Sequence, residues 1–245
     1  MDPYSAYDSF AWYYRRGWGD DYHRNARPVF ETHVFPRLPK HAKVLDLCCG
    51  SGDFSAQLVE CGYCVTGVEG SSRMLDYARQ KAPGATFLHR DARCFDLPPE
   101  FDAAFSTFDS LNHILELPEL SSAFANVFRA LKQGGLFVFD LNMEENFQSY
   151  WHGAWANVQD AEVGITRGSY DSNAQLARAD ITVFGLEPDG SWSRADTAVF
   201  ERCYAEEDIL SSLSAAGFSD VTAHQAWELG MKDLAIGRTF FFATK

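Results

Sequence analysis

Cationic charge is scarce in these 245 residues: 21 Lys and Arg stand against 34 Asp and Glu, a formal charge of −13. Polyanions are gripped mainly by clustered Lys and Arg that displace condensed counterions. Arg15-Arg16 and the scattered Arg24, Arg27, Arg37, Lys40 and Lys43 are too thin for that and suit one anionic ligand or a solvated surface. No nucleic-acid partner is expected. Cysteine is present but unorganised. Of the six (48, 49, 61, 64, 94 and 203), only Cys61 and Cys64 form a Cys-x-x-Cys pair, and no second pair stands at zinc spacing, so no metal site is expected. No apolar run reaches the roughly 18 residues that span a bilayer, and the first residues are aromatic and charged, unlike a signal peptide. The expectation is a cytoplasmic protein with reduced thiols and no membrane partner. Internal repeats and low-complexity tracts are missing too, so the chain reads as one domain, 1–245.

Aromatic residues are plentiful, with 20 Phe, 10 Tyr and 6 Trp. That exceeds the needs of a parallel sheet, so part of the set is expected to line a pocket while most of it packs the core. From residue 40 short apolar strands alternate with amphipathic helices, a rhythm that demands a parallel sheet covered on both faces. Strands are predicted at 43–47, 63–69, 85–88, 101–107 and 136–141. A helix with Leu120, Phe124, Val127, Phe128 and Leu131 on one face is predicted to end at Gly134-Gly135. After residue 145 strands follow strands. Alternation over 179–186, the turn Pro188-Asp189-Gly190 and the run 192–204 predict a hairpin. A helix from Glu206 to Gly217 and strands at 221–227 and 239–243 close the pattern. The fold class is α/β: a Rossmann-like, doubly wound, mostly parallel seven-stranded sheet with an antiparallel meander (146–204) inserted after the fifth strand. Residues 1–40 form a cover segment.

The first strand runs into Asp46-Leu47-Cys48-Cys49-Gly50-Ser51-Gly52 and then a helix. Such a turn brings backbone N–H groups and a positive helix end close to a ligand, and Gly50 and Gly52 leave room for it. A dinucleotide fingerprint asks for a third small residue where Ser55 stands, which counts against a nicotinamide-dependent oxidoreductase. Glu69, at the end of the second strand, has two readings. It is a carboxylate able to accept from both hydroxyls of a ribose, or an acid stabilised by the helix that follows.

The ordered runs VLDLCCGSGDFSAQL, VTGVEGSSRML, FLHRDARCFDLP, FDAAFSTFDSLNHIL and LKQGGLFVFDLN resemble the motifs of class I S-adenosylmethionine-dependent methyltransferases across residues 43 to 142. FERCYAEEDILSSLSAAGF and RTFFFATK extend the likeness towards the C-terminus. FAWYYRRGWGDDY is similar to the N-terminal segments of the small-molecule branch that includes the amino-sugar N,N-dimethyltransferases. The resemblance implies S-adenosylmethionine as cofactor. Asp46, Cys49, Gly50 and Gly52 would surround its methionyl part, Glu69 would bind the ribose, and Asp91 with Ala92 would read the adenine, with Met74 packed on its face. Phe108 to His113 would form the lip above the methyl group, with Phe108 against the cofactor, His113 as proton acceptor or substrate hydrogen-bond partner, and Asn112 orienting either the substrate or the loop. Tyr14 and Tyr22, from the N-terminal segment, would either close over the cofactor or only pack on the sheet.

The Asp/Asn-Pro-Pro-aromatic motif of enzymes that methylate nucleobase amino groups would fall near 106–109, where the chain reads Ser106-Thr107-Phe108-Asp109. Base methylation is therefore disfavoured, and the expected partner is a small-molecule acceptor, an amine foremost. A protein that binds the cofactor without turnover is the remaining alternative. The aromatic meander either roofs the substrate pocket or makes a dimer contact, so both monomer and homodimer stay open.

Overall fold

The computed structural model describes residues 5–16 and 18–245. Two helices, α1 (Ser5–Tyr14) and α2 (Asp20–His33), precede the alternating core. That core runs β1 (Lys43–Leu47), α3 (Asp53–Glu60), β2 (Cys64–Glu69), α4 (Ser72–Lys81), β3 (Thr86–His89), β4 (Phe101–Ser106), α5 (Leu117–Ala130) and β5 (Leu131–Asn142). A short helix, α6 (Glu144–Tyr150), leads into β6 (Gly153–Gln159), β7 (Glu162–Asp171), β8 (Leu176–Leu186) and β9 (Trp192–Arg202). Helix α7 (Glu206–Ala216) and strands β10 (Ser219–Gln225) and β11 (Arg238–Thr244) complete the chain.

The seven-stranded sheet has the order β10-β11-β5-β4-β1-β2-β3. Strands β1 to β5 pair in parallel, while β11 runs antiparallel to both β5 and β10. The strand order reverses between β1 and β4, where open α/β sheets bind ligands beyond their carboxyl ends. Period-2 alternation gives each face its own core. Phe137, Phe139 and Phe241 pack with Leu120, Phe124 and Val127 of α5 and Leu213 of α7. On the other face, Val138, Phe105 and Phe240 meet Tyr22, Ala26 and Phe30 of α2 and Phe54 of α3. Each such phenyl ring contributes about 1.5–3 kcal/mol by leaving water.

A separate antiparallel sheet, β6-β7-β8-β9, carries Ala179, Ile181, Val183 and Val199 against Phe10 and Tyr13 of α1. The apolar face of α1 thus packs on the inserted sheet.

Three details differ from the sequence expectation. Helix α5 ends at Ala130, four residues before Gly134, because Leu131 is already extended and pairs with Phe101; Gly134 instead makes a left-handed turn at φ 76° inside the span of β5. Residues 144–150 are helical, opened by Glu144 and Glu145 in a first turn that favours acids. The meander has four strands, since β6 and β7 also pair along 153–168. Among the described residues no helix is long and apolar enough to cross a membrane.

Candidate functional site

Past the end of β1 the chain turns through left-handed backbone at Cys48 (φ 58°), Gly50 (φ 52°) and Gly52 (φ 84°). The two glycines answer different needs. A Cβ on Gly50 would meet nothing within 4 Å and would jut into a cavity of about 1060 Å³, which Gly50 lines. A Cβ on Gly52 would stand 2.8 Å from Ala78 Cα, so Gly52 lets α3 approach α4. Cys49 is turned away from the cavity towards Gly67, whose own Cβ would lie 2.8 Å from the thiol. Asp46 is buried beneath the loop, accepts from Ser55 Oγ and borders only a small cleft shared with Ser51 and Asp53. Burial lifts its carboxyl to about 7, with Ser55 opposing the rise.

Glu69 closes the rim. Its Oε2 accepts from Gly50 N at 3.0 Å and its Oε1 from Ser71 N at 2.8 Å. Each carboxylate oxygen has two lone pairs, so one on each remains for two neighbouring hydroxyls. Burial raises this carboxyl above the usual range, against the pull of the backbone donors. Val68, Met74, Ala92 and Cys48 supply apolar walls beside it. An open cradle at Gly50, a carboxylate with paired free acceptors and an apolar slot fit an adenosine, and so fit the group that the loop implies.

Asp91, expected to read the adenine, is engaged by an arginine. Its carboxylate is held by Arg93 Nε at 3.0 and 3.1 Å, Arg93 Nη2 at 2.6 Å and Arg93 N at 2.8 Å, and Arg93 reaches on to Glu119. Its neighbours Arg90 and Ala92 line the cavity, but Asp91 does not.

The lip after β4 is strained. Phe108 and Asp109 both have positive φ, 61° and 50°, at about 1–3 kcal/mol each for non-glycine residues. Asp140, at the end of β5, pins them: its oxygens accept from Phe108 N at 2.9 Å and Asp109 N at 3.2 Å, from Tyr22 Oη at 2.6 Å and from Arg238 Nη1. Arg238 also pairs with Asp109 at 2.8 Å and lies over the rings of Tyr22 and Phe108. Of its two readings Tyr22 takes the packing one, bound into this buried knot against the sheet, whereas Tyr14 lines the cavity.

His113 ends a short 3-10 helix, Ser110–His113, and faces the cavity. Its Nδ1 lies 2.8 Å from the Phe200 carbonyl, which can only accept. The partners thus assign the proton to Nδ1 and leave the Nε2 lone pair, which takes the Tyr7 hydroxyl at 2.7 Å. Glu201 Oε1 is 3.6 Å from Nε2, and Asp109 is part of the same cluster. Burial pulls the imidazole below its usual value while Asp109 and the Phe200 carbonyl push it up. Burial raises Glu201 well above the usual carboxylate range, and Asp109 adds to the rise.

Of the two roles open to Asn112, orienting the substrate or the loop, its hydrogen bonds serve the loop. Its amide donates to the carbonyls of Asn142 at 3.0 Å and Arg202 at 2.8 Å and accepts from Asn142 N at 3.0 Å, stitching the turn to β5 and β9. Sequence reasoning missed Tyr7, Asp109, Asp140, Glu201 and Arg238. Two of these carried a signal: a lone charge inside FVFDLN and another opening RTFFFAT must find buried partners.

Residues 44–135 match a family described as a methyltransferase domain. A putative methyltransferase of Bacillus subtilis is 29% identical over 74% of this chain and 75% of its own length. A dTDP-3-amino-3,6-dideoxy-alpha-D-glucopyranose N,N-dimethyltransferase of Streptomyces fradiae is also 29% identical, over 83% of this chain and 80% of its own. The crystal structure of an S-adenosylmethionine-dependent methyltransferase from Clostridium acetobutylicum superposes with a TM-score of 0.80 at 22% identity, covering 97% of this chain and 98% of that one.

Proposed function

The chain is an S-adenosylmethionine-dependent methyltransferase of small-molecule type, and we propose that it moves the methyl group to an amine nitrogen by in-line displacement. The observation that carries this reading is the His113 Nε2 lone pair, fixed by the Phe200 carbonyl at the cavity wall beside Asp109 and Glu201. An amine reaches the site largely as an ammonium ion, which Asp109 attracts and which has no lone pair until a base removes a proton. The Streptomyces fradiae relative, whose name specifies methylation of a sugar nitrogen, supports the same acceptor atom.

When bound, the cofactor supplies an electrophilic methyl group. Gly50, Glu69, Met74 and Ala92 would hold it, with Glu69 taking the ribose hydroxyls and Phe108 and Tyr14 closing the space near the sulfur. His113 accepts the ammonium proton at Nε2 once the Tyr7 hydroxyl gives way, and nearby Asp109 stabilises the imidazolium that forms. General-base help of this kind is worth roughly 10²- to 10⁴-fold. Helices α1 and α2 and the inserted sheet serve as covers of one catalytic unit spanning 1–245, and exclude water from the reacting pair.

His113→Asn tests the reading. With an amine acceptor, kcat should fall more than about tenfold, equivalent to about 1.4 kcal/mol, while cofactor Kd stays within about twofold. In the wild type the acid limb of kcat should lie below pH 6.5, because burial keeps the imidazole neutral into more acidic solution. Turnover near wild type, with the limb intact in the variant, would leave His113 a structural residue.

A further inference from the structure

We infer that the acceptor half of the cavity takes an amine on a hydroxylated ring that carries no phosphate, and that it rejects nucleoside-diphosphate-linked forms of such an amine. This rests on the amine reading above and adds to it the class of molecule that bears the nitrogen.

The first observation is the lining of the inserted sheet. Alternation along β6 sends Trp155, Asn157 and Gln159 into the cavity, and β7 adds Glu162 and Thr166. Flat indole faces suit the C–H faces of a ring, and the interleaved amides, carboxylate and hydroxyl offer both donors and acceptors for its hydroxyl groups. Gly164 makes room for the Tyr13 hydroxyl at this floor, since a Cβ there would stand 2.1 Å from it.

Charge is the second. Among the described residues this half is lined by the carboxylates Asp21, Asp109, Glu162 and Asp233, and by Glu201, which burial shifts towards its neutral form, against three guanidiniums, Arg16, Arg24 and Arg238, and by no lysine. Every one of the three already faces an acid. Arg16 pairs with Glu162, Arg24 with Asp21 at 2.9 Å, and Arg238 with Asp109 at 2.8 Å and with Asp140. Arg90 lies at the other end, beside Ala92 on the cofactor side. Two phosphates need unshared Arg forks, lysines or unobstructed helix N-termini. Here the first turn of α2 carries Asp21, so a diphosphate would meet like charge and leave its own oxygens unpaired, whereas an ammonium-bearing ring would be attracted. Repulsion of the wrong molecule discriminates here as much as attraction of the right one.

The test uses the full chain loaded with S-adenosylhomocysteine, so that the cofactor end is filled. Thymidine diphosphate titrated by calorimetry should give no saturable heat up to about 1 mM, and saturable binding in the micromolar range would overturn the inference. Methyl 3-amino-3-deoxyglucoside and its dTDP-linked counterpart should then be compared as acceptors with S-adenosylmethionine. The phosphate-free amine should show kcat/KM higher by at least about tenfold, and the reverse order would overturn the inference. If neither amine is methylated and thymidine diphosphate still fails to bind, the amine reading is what falls, and the exclusion of phosphate stands.

Discussion

Single buried charges do the most per residue in this chain. Asp140, fully buried, accepts from two strained backbone N–H groups, a tyrosine and an arginine, so one carboxylate sets both the shape of the lip and the place of Arg238. Asp46 is the opposite case, a buried carboxyl whose one side-chain donor is Ser55. Its folded pKa of about 7 lies above the ordinary 3.8. An acid raised in this way stabilises the native state fully below about pH 4, and that contribution is lost as pH climbs through about 7. Asp46→Asn keeps the bond from Ser55 and has nothing to ionise. The ligand-free variant should therefore exceed wild type in stability by at least about 1 kcal/mol at pH 8 and by little at pH 4, read from urea unfolding at both. An equal difference at the two pH values would mean that Asp46 titrates as an ordinary carboxylate.

Among the elements, the glycine loop separates fold from site within three residues. Gly52→Ala forces a Cβ into Ala78 of α4 at positive φ, and should cost about 2 kcal/mol or more from backbone strain and the clash, lowering Tm by many degrees. Gly50→Ala carries the strain without a clash. It should cost only about 1–2 kcal/mol of stability, while its Cβ enters the cavity and weakens binding of S-adenosylhomocysteine by about tenfold or more. Calorimetry and thermal melts on the two variants check the division. Comparable loss of stability in both would mean that α3 and α4 have room to move apart. Helix α1 behaves as a clasp of a different kind. Its Asp8 accepts from Ser71 Oγ at 2.6 Å and Arg73 N at 3.2 Å at the start of α4, next to Glu69, while its Tyr7 reaches His113.

In the whole molecule, α1 therefore lies between two bodies, packed on the inserted sheet and fastened to the cofactor rim of the main one. Segments held by few polar contacts open most readily and gain most from a ligand that both sides touch. Adding S-adenosylhomocysteine should slow amide exchange in 5–16 as well as in the loop at 46–52, and Asp8→Asn should remove much of the gain in α1 while leaving the loop protected. Protection confined to 43–110 would show that α1 does not close over the cofactor.

The sheet, its order of helices and strands, and the glycine turn were legible from the sequence because they follow from local rules. Period-2 apolar strands, amphipathic helices and a glycine-rich strand-to-helix turn leave their imprint within ten or so neighbouring residues. Glu69 and the cavity position of His113 followed from the same local geometry, since the ends of parallel strands share one edge. Where each polar side chain spends its hydrogen bonds was decided only by tertiary structure. Asn112 binds the carbonyl of Arg202, 90 residues away, His113 meets Tyr7 across 106, and Tyr22 donates to Asp140 across 118. Nothing near Asn112 or Tyr22 in the chain distinguishes an amide or hydroxyl free for a ligand from one already committed. The charge of the acceptor pocket was hidden for the same reason: an excess of acid is visible in composition, but only the packing around one space shows that Arg16 meets Glu162 of β7 and that Arg238 of β11 meets Asp109 and Asp140.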